Sequence, residues 1–205
     1  MTETVVAPDA REETRVRIEQ AALDLFTAQG FERVTTDEIA DTAGISRRTF
    51  FRYVNGKADA VWGDFDAHVV RLEALLAGST GGQFAGDGGR SVLGSICAAY
   101  VEVNDYAAAD LPMLRQRMRL ILTEPALQAH SQVRYAAVDR VVAAHVARRT
   151  GVHPDALVPR LVATSTRAAA TTAFEVWLAD GRTRLTDDLH AAFAELAGAF
   201  PSLGS

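Results

Sequence analysis

"TTDEIADTAGISRRTFFRYVNGKADAVW", residues 35 to 62, decides the fold. Thr35 and Glu38 stand three apart just before Ile39 and Ala40, the capping-box spacing that opens a short helix. Gly44 ends that helix, because a residue without a Cβ takes the left-handed backbone that a tight turn requires. Ser46 then caps a second short helix beginning at Arg47. Two short helices joined at a glycine, with the small Ala40 where they cross, form a helix-turn-helix. Ile39, Ile45 and Phe50 supply its shared core. With Phe50 and Val54 turned inward, Arg47, Arg48, Thr49, Phe51, Arg52 and Tyr53 are left facing out.

The same stretch carries four cations, Arg47, Arg48, Arg52 and Lys57, and no acid from Thr42 to Ala58, in a chain whose formal net charge is -5. Lys57 is the single lysine of the chain. Arg47 and Arg48 occupy a first helical turn, where the helix dipole makes each cation cost about 0.3–1 kcal/mol. An incoming anion reverses that cost. Arginines, the Ser46 hydroxyl and backbone N–H groups would converge on a phosphate, or on guanine edges in a major groove. Lys57 would add a compact point charge for a phosphate just beyond the second helix. The expected partner is double-stranded DNA.

Outside this stretch, 205 residues suit a small module joined to a larger one. At 48% hydrophobic and 23% charged the chain has enough apolar content to build a core. Its net acidity argues against nucleic-acid binding over the whole surface, so any such role must be local. No window approaches about 18 uncharged apolar residues, and "MTETVVAPDAREE" lacks the order of a secretory signal. The expected location is the cytoplasm, with no membrane partner. Apolar residues recur at three and four along nearly the whole length, without β-branched alternation, so the expected class is all-α with about nine helices. Ile18, Ala22, Leu25 and Phe26 make one stripe of a first helix ended by Gly30. A fourth helix is expected from about Ala58 through "VWGDFDAHVVRLEALLA". Others fall near 91–108, 112–123, 125–149, 155–180 and 186–199, with Pro112, Pro125 and Pro154 at starts and Gly151 and Gly181 at ends. "GSTGGQFAGDGG", residues 78 to 89, has no strand before it and no GK[ST] after it, and reads as a connector rather than a phosphate loop. Residues 1–60 are expected to form the DNA-binding domain and 61–205 an effector-binding and dimerisation domain.

The stretch quoted first resembles the DNA-binding head of the TetR family of bacterial repressors, and the likeness spans about residues 14 to 62. Thr35, Thr36, Ile39, Ala40, Ala43, Gly44, Ser46, Tyr53 and Lys57 stand where the family pattern has a threonine pair, isoleucine-alanine, alanine-glycine, a serine cap, a closing aromatic and a lysine. The resemblance implies an all-helical homodimer whose two heads hold a pseudo-palindromic operator, and a C-terminal core that binds a small effector and then releases the DNA. It implies DNA contacts at Thr35, Thr36, Ser46, Arg47, Arg48, Thr49, Phe51, Arg52, Tyr53 and Lys57. Three positions depart from the pattern. Phe51 lacks the hydroxyl of the usual tyrosine, Val54 replaces a phenylalanine, and Arg48 replaces a small residue, which adds a group able to grip a base or a phosphate. "WGDFDAHVVRLEALL" and "LPMLRQRMRLILTEPALQAHSQVRYAAV" further resemble a subgroup of actinobacterial regulators linked to mycofactocin, which implies a long-chain acyl-CoA effector.

In the C-terminal part, Leu189, Ala192, Phe193, Leu196 and Phe200 share one face of the last helix. The helix before it carries "VATSTRAAATTAF", small residues that admit a close neighbour, flanked by Leu157, Leu161, Trp177 and Leu178. The expectation is a two-fold four-helix interface made from the last two helices of each subunit, which would set two recognition helices about one DNA turn apart. Trp62, Phe65, Tyr100, Met113, Met118, Leu122 and Trp177 are nominated to line an effector tunnel, with Arg117, beside Arg115 and Arg119, meeting phosphates at its mouth. Asn104 and His68 are nominated as polar contacts inside. The five histidines include no i, i+4 pair and no HExxH, there is no GxSxG elbow, and Cys97 reads as a small hydrophobe without an obvious base. Neither enzymatic activity nor a metal or resident cofactor is expected. Two other readings stay open: a DNA-binding regulator or activator without an acyl-CoA response, and an acyl-CoA-binding or -modifying protein whose basic head is incidental.

Overall fold

A computed structural model describes residues 10–78, 91–181 and 183–199, and among these every regular element is helical. The helices are α1 (Ala10–Gln29), α2 (Thr36–Thr42), α3 (Arg47–Tyr53), α4 (Phe65–Gly78), α5 (Val92–Val103), α6 (Leu111–Thr123), α7 (Pro125–Thr150), α8 (Leu157–Asp180) and α9 (Leu185–Ala199), with 3-10 turns at Phe31–Arg33 and Asp59–Trp62. The glycine-rich connector beyond Gly78, and Phe200, lie outside the described residues.

The chain divides into two compact units, the first taking residues up to Phe65 together with Pro112–His130. Within it α1 buries Ile18, Ala22, Leu23 and Phe26. Leu23 is wholly enclosed, whereas Leu25, favoured by the periodicity, is half-buried. Burial of each large side chain stabilises by about 1.5–3 kcal/mol. The local signals of the helix-turn-helix hold in detail. Glu38 N donates to Thr35 Oγ1 at 3.2 Å while Thr35 N donates to Glu38 Oε2 at 2.8 Å, completing the capping box. Gly44 turns with a φ of 66°, and Thr49 N donates to the Ser46 hydroxyl at 3.1 Å. Ile39, Ala40 and Phe50 are buried between the helices, and Ile45 is half-buried.

The fourth helix departs from expectation. Instead of running unbroken from residue 58, the chain makes the 3-10 turn Asp59–Trp62, reverses at Gly63 with a φ of 52°, and only then enters α4. A Cβ at Gly63 would run into the Glu19 carboxylate and crowd the Arg117 guanidinium, so both the backbone and the space demand glycine. Glu19 and Arg117 form an ion pair there, with Arg117 Nε donating to Glu19 Oε1 at 2.6 Å. Only 4% of Glu19 is exposed. Burial pushes its carboxyl above the ordinary range, against the pull of Arg117. Gln116 Nε2 adds bonds to Asp24 Oδ1 at 3.1 Å and Thr27 Oγ1 at 3.0 Å. Helix α6 is thereby tied to α1, and the head unit extends past residue 60 to include it. Buried Asp59 fixes the segment after α3 by accepting from Asn55 N and Nδ2, at 3.2 and 2.8 Å, with His130 Nε2 2.9 Å from its other oxygen.

The second unit comprises Asp66–Leu111 and the residues from Ser131 onward. Helix α8 turns Val162, Ala163, Thr166, Ala170, Ala173 and Trp177 inward, and α9 buries Leu185, Leu189 and Phe193. The Tyr100 ring lies 5.3 Å from that of Phe193. Helix α5 stops at Val103 rather than near 108, because Asn104 closes it and donates Nδ2 to the Tyr100 carbonyl at 2.8 Å. Helix α8 starts at Leu157, three residues past Pro154, and ends at Gly181, which has a φ of 65°. In the core, His145 Nε2 lies 2.8 Å from Ser95 Oγ, and burial, followed by Arg148 and Arg149, pushes the imidazole down to about 4. It is a neutral core histidine at pH 7. Cys97 is half-buried with Sγ 3.8 Å from His190 Nδ1. An imidazole neighbour is thus present that the sequence does not disclose, but burial raises the thiol's pKa, so it is not an activated nucleophile.

Candidate nucleic-acid interface

Three features of α3 arise locally. The Ser46 cap starts the helix, Phe50 anchors it, and the remaining side chains face outward. Arg48 and Arg52 are exposed and have no acidic partner among the described residues. Phe51 is 45% exposed, stacked edge-on against Phe50 at 5.3 Å. The Arg52 guanidinium lies 5.3 Å from the Tyr53 ring. Arg48, Thr49, Phe51 and Arg52 together line an open groove of about 380 Å³. Two planar cations beside an aromatic face and a hydroxyl can meet phosphate oxygens and base edges at once.

The other expected contacts have additional duties. The Thr35 hydroxyl donates to Glu38 Oε2 at 2.8 Å within the capping box. Thr36 opens α2 half-buried. The Ser46 and Thr49 hydroxyls are 2.9 Å apart. Half-buried Tyr53 shares a hydrogen bond with Thr14 of α1, which draws its phenol below the ordinary pKa.

Two expectations are corrected. Arg47 is not unneutralised, because its Nη1 lies 2.7 Å from both carboxylate oxygens of Asp37, and its guanidinium sits 5.5 Å from the Phe51 ring centre. Scanning for acids between residues 42 and 58 misses Asp37, which the packing of α2 on α3 brings alongside. Nor is Lys57 a point charge awaiting phosphate. Its Nζ donates to the carbonyls of Phe31, Glu32 and Val34 at 2.8, 3.2 and 3.1 Å, and lies 4.4 Å from the Phe31 ring centre. An ammonium has three N–H bonds, and all are engaged. Lys57 therefore staples the loop after α3 to the loop before α2. A Lys57→Met variant is expected to lose about 1–3 kcal/mol of stability in urea denaturation and to keep the wild-type salt dependence of DNA binding. Unchanged stability with a salt slope shallower by about 0.9 would make it a phosphate contact after all.

The nominated effector residues divide between the units. Trp62, Phe65, Met113, Arg117, Met118 and Leu122 belong to the first, and Tyr100, Asn104 and Trp177 to the second. Trp62 is buried with its ring 5.1 Å from that of Phe65, and Met118 is buried as well. Trp177 is core, edge-on to Phe174 at 6.3 Å. Arg117 is withdrawn from the set because Glu19 holds it. Sequence reasoning missed both acids that matter, Asp37 and Glu19. Asp37 carries no periodic signal across ten residues, and Glu19 stands four residues after Arg15, an ordinary helical pair spacing that conceals its partner Arg117, 98 residues on.

An all-helical chain whose capped helix-turn-helix presents a basic open face is a DNA-binding regulator by class. Residues 18–59 match the model of bacterial regulatory proteins of the tetR family, and residues 90–201 match the MftR C-terminal domain. The chain belongs to the TetR family, in the branch with the MftR-type C-terminal domain, and is a transcriptional regulator rather than an enzyme. It is 38% identical to a Mycobacterium tuberculosis protein assigned as mycofactocin biosynthesis transcriptional regulator MftR, over 89% of each chain. With the HTH-type transcriptional regulator TcmR of Streptomyces glaucescens it shares 29% identity over 93% of this chain and 82% of that one. Among solved structures, the fold is shared with SmeT in its triclosan complex, at a TM-score of 0.63, 18% identity and coverage of 91% and 90%. It is shared too with the Thermus thermophilus repressor FadR in complex with lauroyl-CoA, at a TM-score of 0.53, 21% identity and coverage of 91% and 94%. No helix among the described residues is long and apolar enough to cross a membrane.

Proposed function

We propose that this regulator is a cytoplasmic repressor that holds a pseudo-palindromic operator through α3 of two paired subunits and releases it when a long-chain acyl-CoA binds the C-terminal part. The observation that carries the DNA half is the groove of Arg48, Thr49, Phe51 and Arg52, where two cations face outward with no acidic partner among the described residues. Pairing is supported by α8, whose outward side shows Leu157 at 79% exposure together with Leu161 and Val176, a row that a second copy would cover. The acyl-CoA half is supported by the fold shared with the lauroyl-CoA-bound FadR. The likeness to the Mycobacterium tuberculosis protein makes mycofactocin biosynthesis genes the proposed targets. The effector acts only through its preference for one of two head arrangements. Palmitoyl-CoA titrated into the complex of protein and labelled DNA flanking its own gene should lower the anisotropy to that of free DNA, while CoA alone and palmitate alone should not. Binding that palmitoyl-CoA leaves untouched would keep the regulator and discard this effector.

A further inference from the structure

Asp37 and Arg47 are both more than half exposed, at 55% and 63% of their side chains, and an ion pair so exposed contributes little to folding. Its effect falls instead on the surface that α3 presents. Arg47 Nη1 is held 2.7 Å from both Asp37 oxygens, with Phe51 5.5 Å beneath the guanidinium. The open groove is lined by Arg48, Thr49, Phe51 and Arg52, and Arg47 takes no part in it. Two adjacent exposed arginines thus differ in one respect: Arg47 already has a carboxylate and Arg48 has none among the described residues.

We propose that Asp37 is a positioning residue, one that withholds Arg47 from DNA phosphates and so lowers affinity for DNA of any sequence, leaving Arg48 and Arg52 to distinguish the operator. This rests on the reading that α3 meets DNA. Sequence-independent affinity grows with the number of phosphates neutralised, whereas discrimination is the ratio of operator to bulk affinity. An anion at the rim removes one cation from that number and repels the phosphate backbone, which weakens wrong sites and the operator alike. The groove arginines then contribute the difference between them.

The test compares wild type with Asp37→Asn, Asp37→Glu, Asp41→Asn and Arg47→Ala, and with Asp37→Asn combined with Arg47→Ala. Each is titrated by anisotropy onto the gene-flanking duplex and a scrambled duplex of equal length, from low to moderate NaCl. Asp37→Asn should bind both duplexes more tightly, with a log–log salt slope steeper by about 0.9, and its preference for the flanking duplex should stay at the wild-type value. Asp37→Glu keeps a carboxylate within reach and should retain the wild-type slope. Asp41→Asn makes the same charge change elsewhere on α2 and should leave the slope unchanged. Adding Arg47→Ala to Asp37→Asn should restore the wild-type slope, and Arg47→Ala alone should alter operator affinity by no more than about fivefold, as for an exposed ion pair. A wild-type slope in Asp37→Asn, an equal steepening in Asp41→Asn, or a loss in Arg47→Ala as large as in Arg48→Ala would each overturn the inference while leaving DNA binding intact. A wild type with no preference for the flanking duplex would overturn the DNA reading, and this inference with it.

Discussion

A variant carrying both Arg48→Ala and Arg52→Ala is expected to fold as the wild type does and to bind operator more weakly by a factor on the order of a hundred or more. Neither side chain has an acidic partner among the described residues, and both stand outside the Ile39, Ala40 and Phe50 core, so folding has little to lose. Each arginine that grips a base edge or a phosphate in planar fashion contributes about 1–3 kcal/mol. The single variants should separate the two roles. One that weakens operator and scrambled DNA equally has lost a phosphate contact, and one that weakens the operator alone has lost a base contact. Arg48→Lys and Arg52→Lys keep the charge and lose the fork, so partial rescue would mark a phosphate and none a base. A folded double variant with wild-type affinity would remove α3 from the interface.

The second large effect is on stability. Arg117→Met is expected to destabilise the protein by about 3–5 kcal/mol, because it strands the Glu19 carboxylate in a site where almost none of it reaches water. At roughly 2–4 °C per kcal/mol for a chain of this size, the melting temperature should fall by about 10 °C. The pH dependence gives a sign to check. Burial raises the folded pKa of Glu19 above its unfolded value, and removing the cation raises it further. Between those two values the folded state binds more protons, so the deficit of Arg117→Met should shrink as pH falls towards the ordinary carboxylate range. Combining it with Glu19→Gln should recover part of the loss at pH 7, since a neutral amide tolerates the site better than a lone charge. Equal deficits at pH 8 and pH 5, with no recovery in the double variant, would show that the pair does not carry this energy.

The helix-turn-helix was legible because its signals are local: a cap three residues before its acid, a glycine at the turn, and a serine before the recognition helix. The helix ends marked by Gly30, Gly151 and Gly181 were legible for the same reason. What escaped depends on residues far apart in sequence. Gly63 breaks the fourth helix because of Glu19 and Arg117, which approach from 44 and 54 residues away. The charge of Lys57 is visible in the sequence and points to phosphate, whereas the three carbonyls that hold it are 23 to 26 residues upstream. A window along the chain leaves Arg47 without an acid because it does not include Asp37 on the neighbouring helix. The groove residues Arg48, Thr49, Phe51 and Arg52 came through, since facing outward on a short helix is a matter of periodicity alone.

The central claim, that the outward face of α3 reads DNA, is tested most directly by the affinity of the purified protein for a duplex flanking its own gene against a scrambled duplex, measured by anisotropy between about 50 and 200 mM salt. The account predicts a preference for the flanking duplex of about a thousandfold or more, with log affinity falling linearly against log salt. Equal affinity for both duplexes at every salt concentration, or binding indifferent to salt, would contradict it.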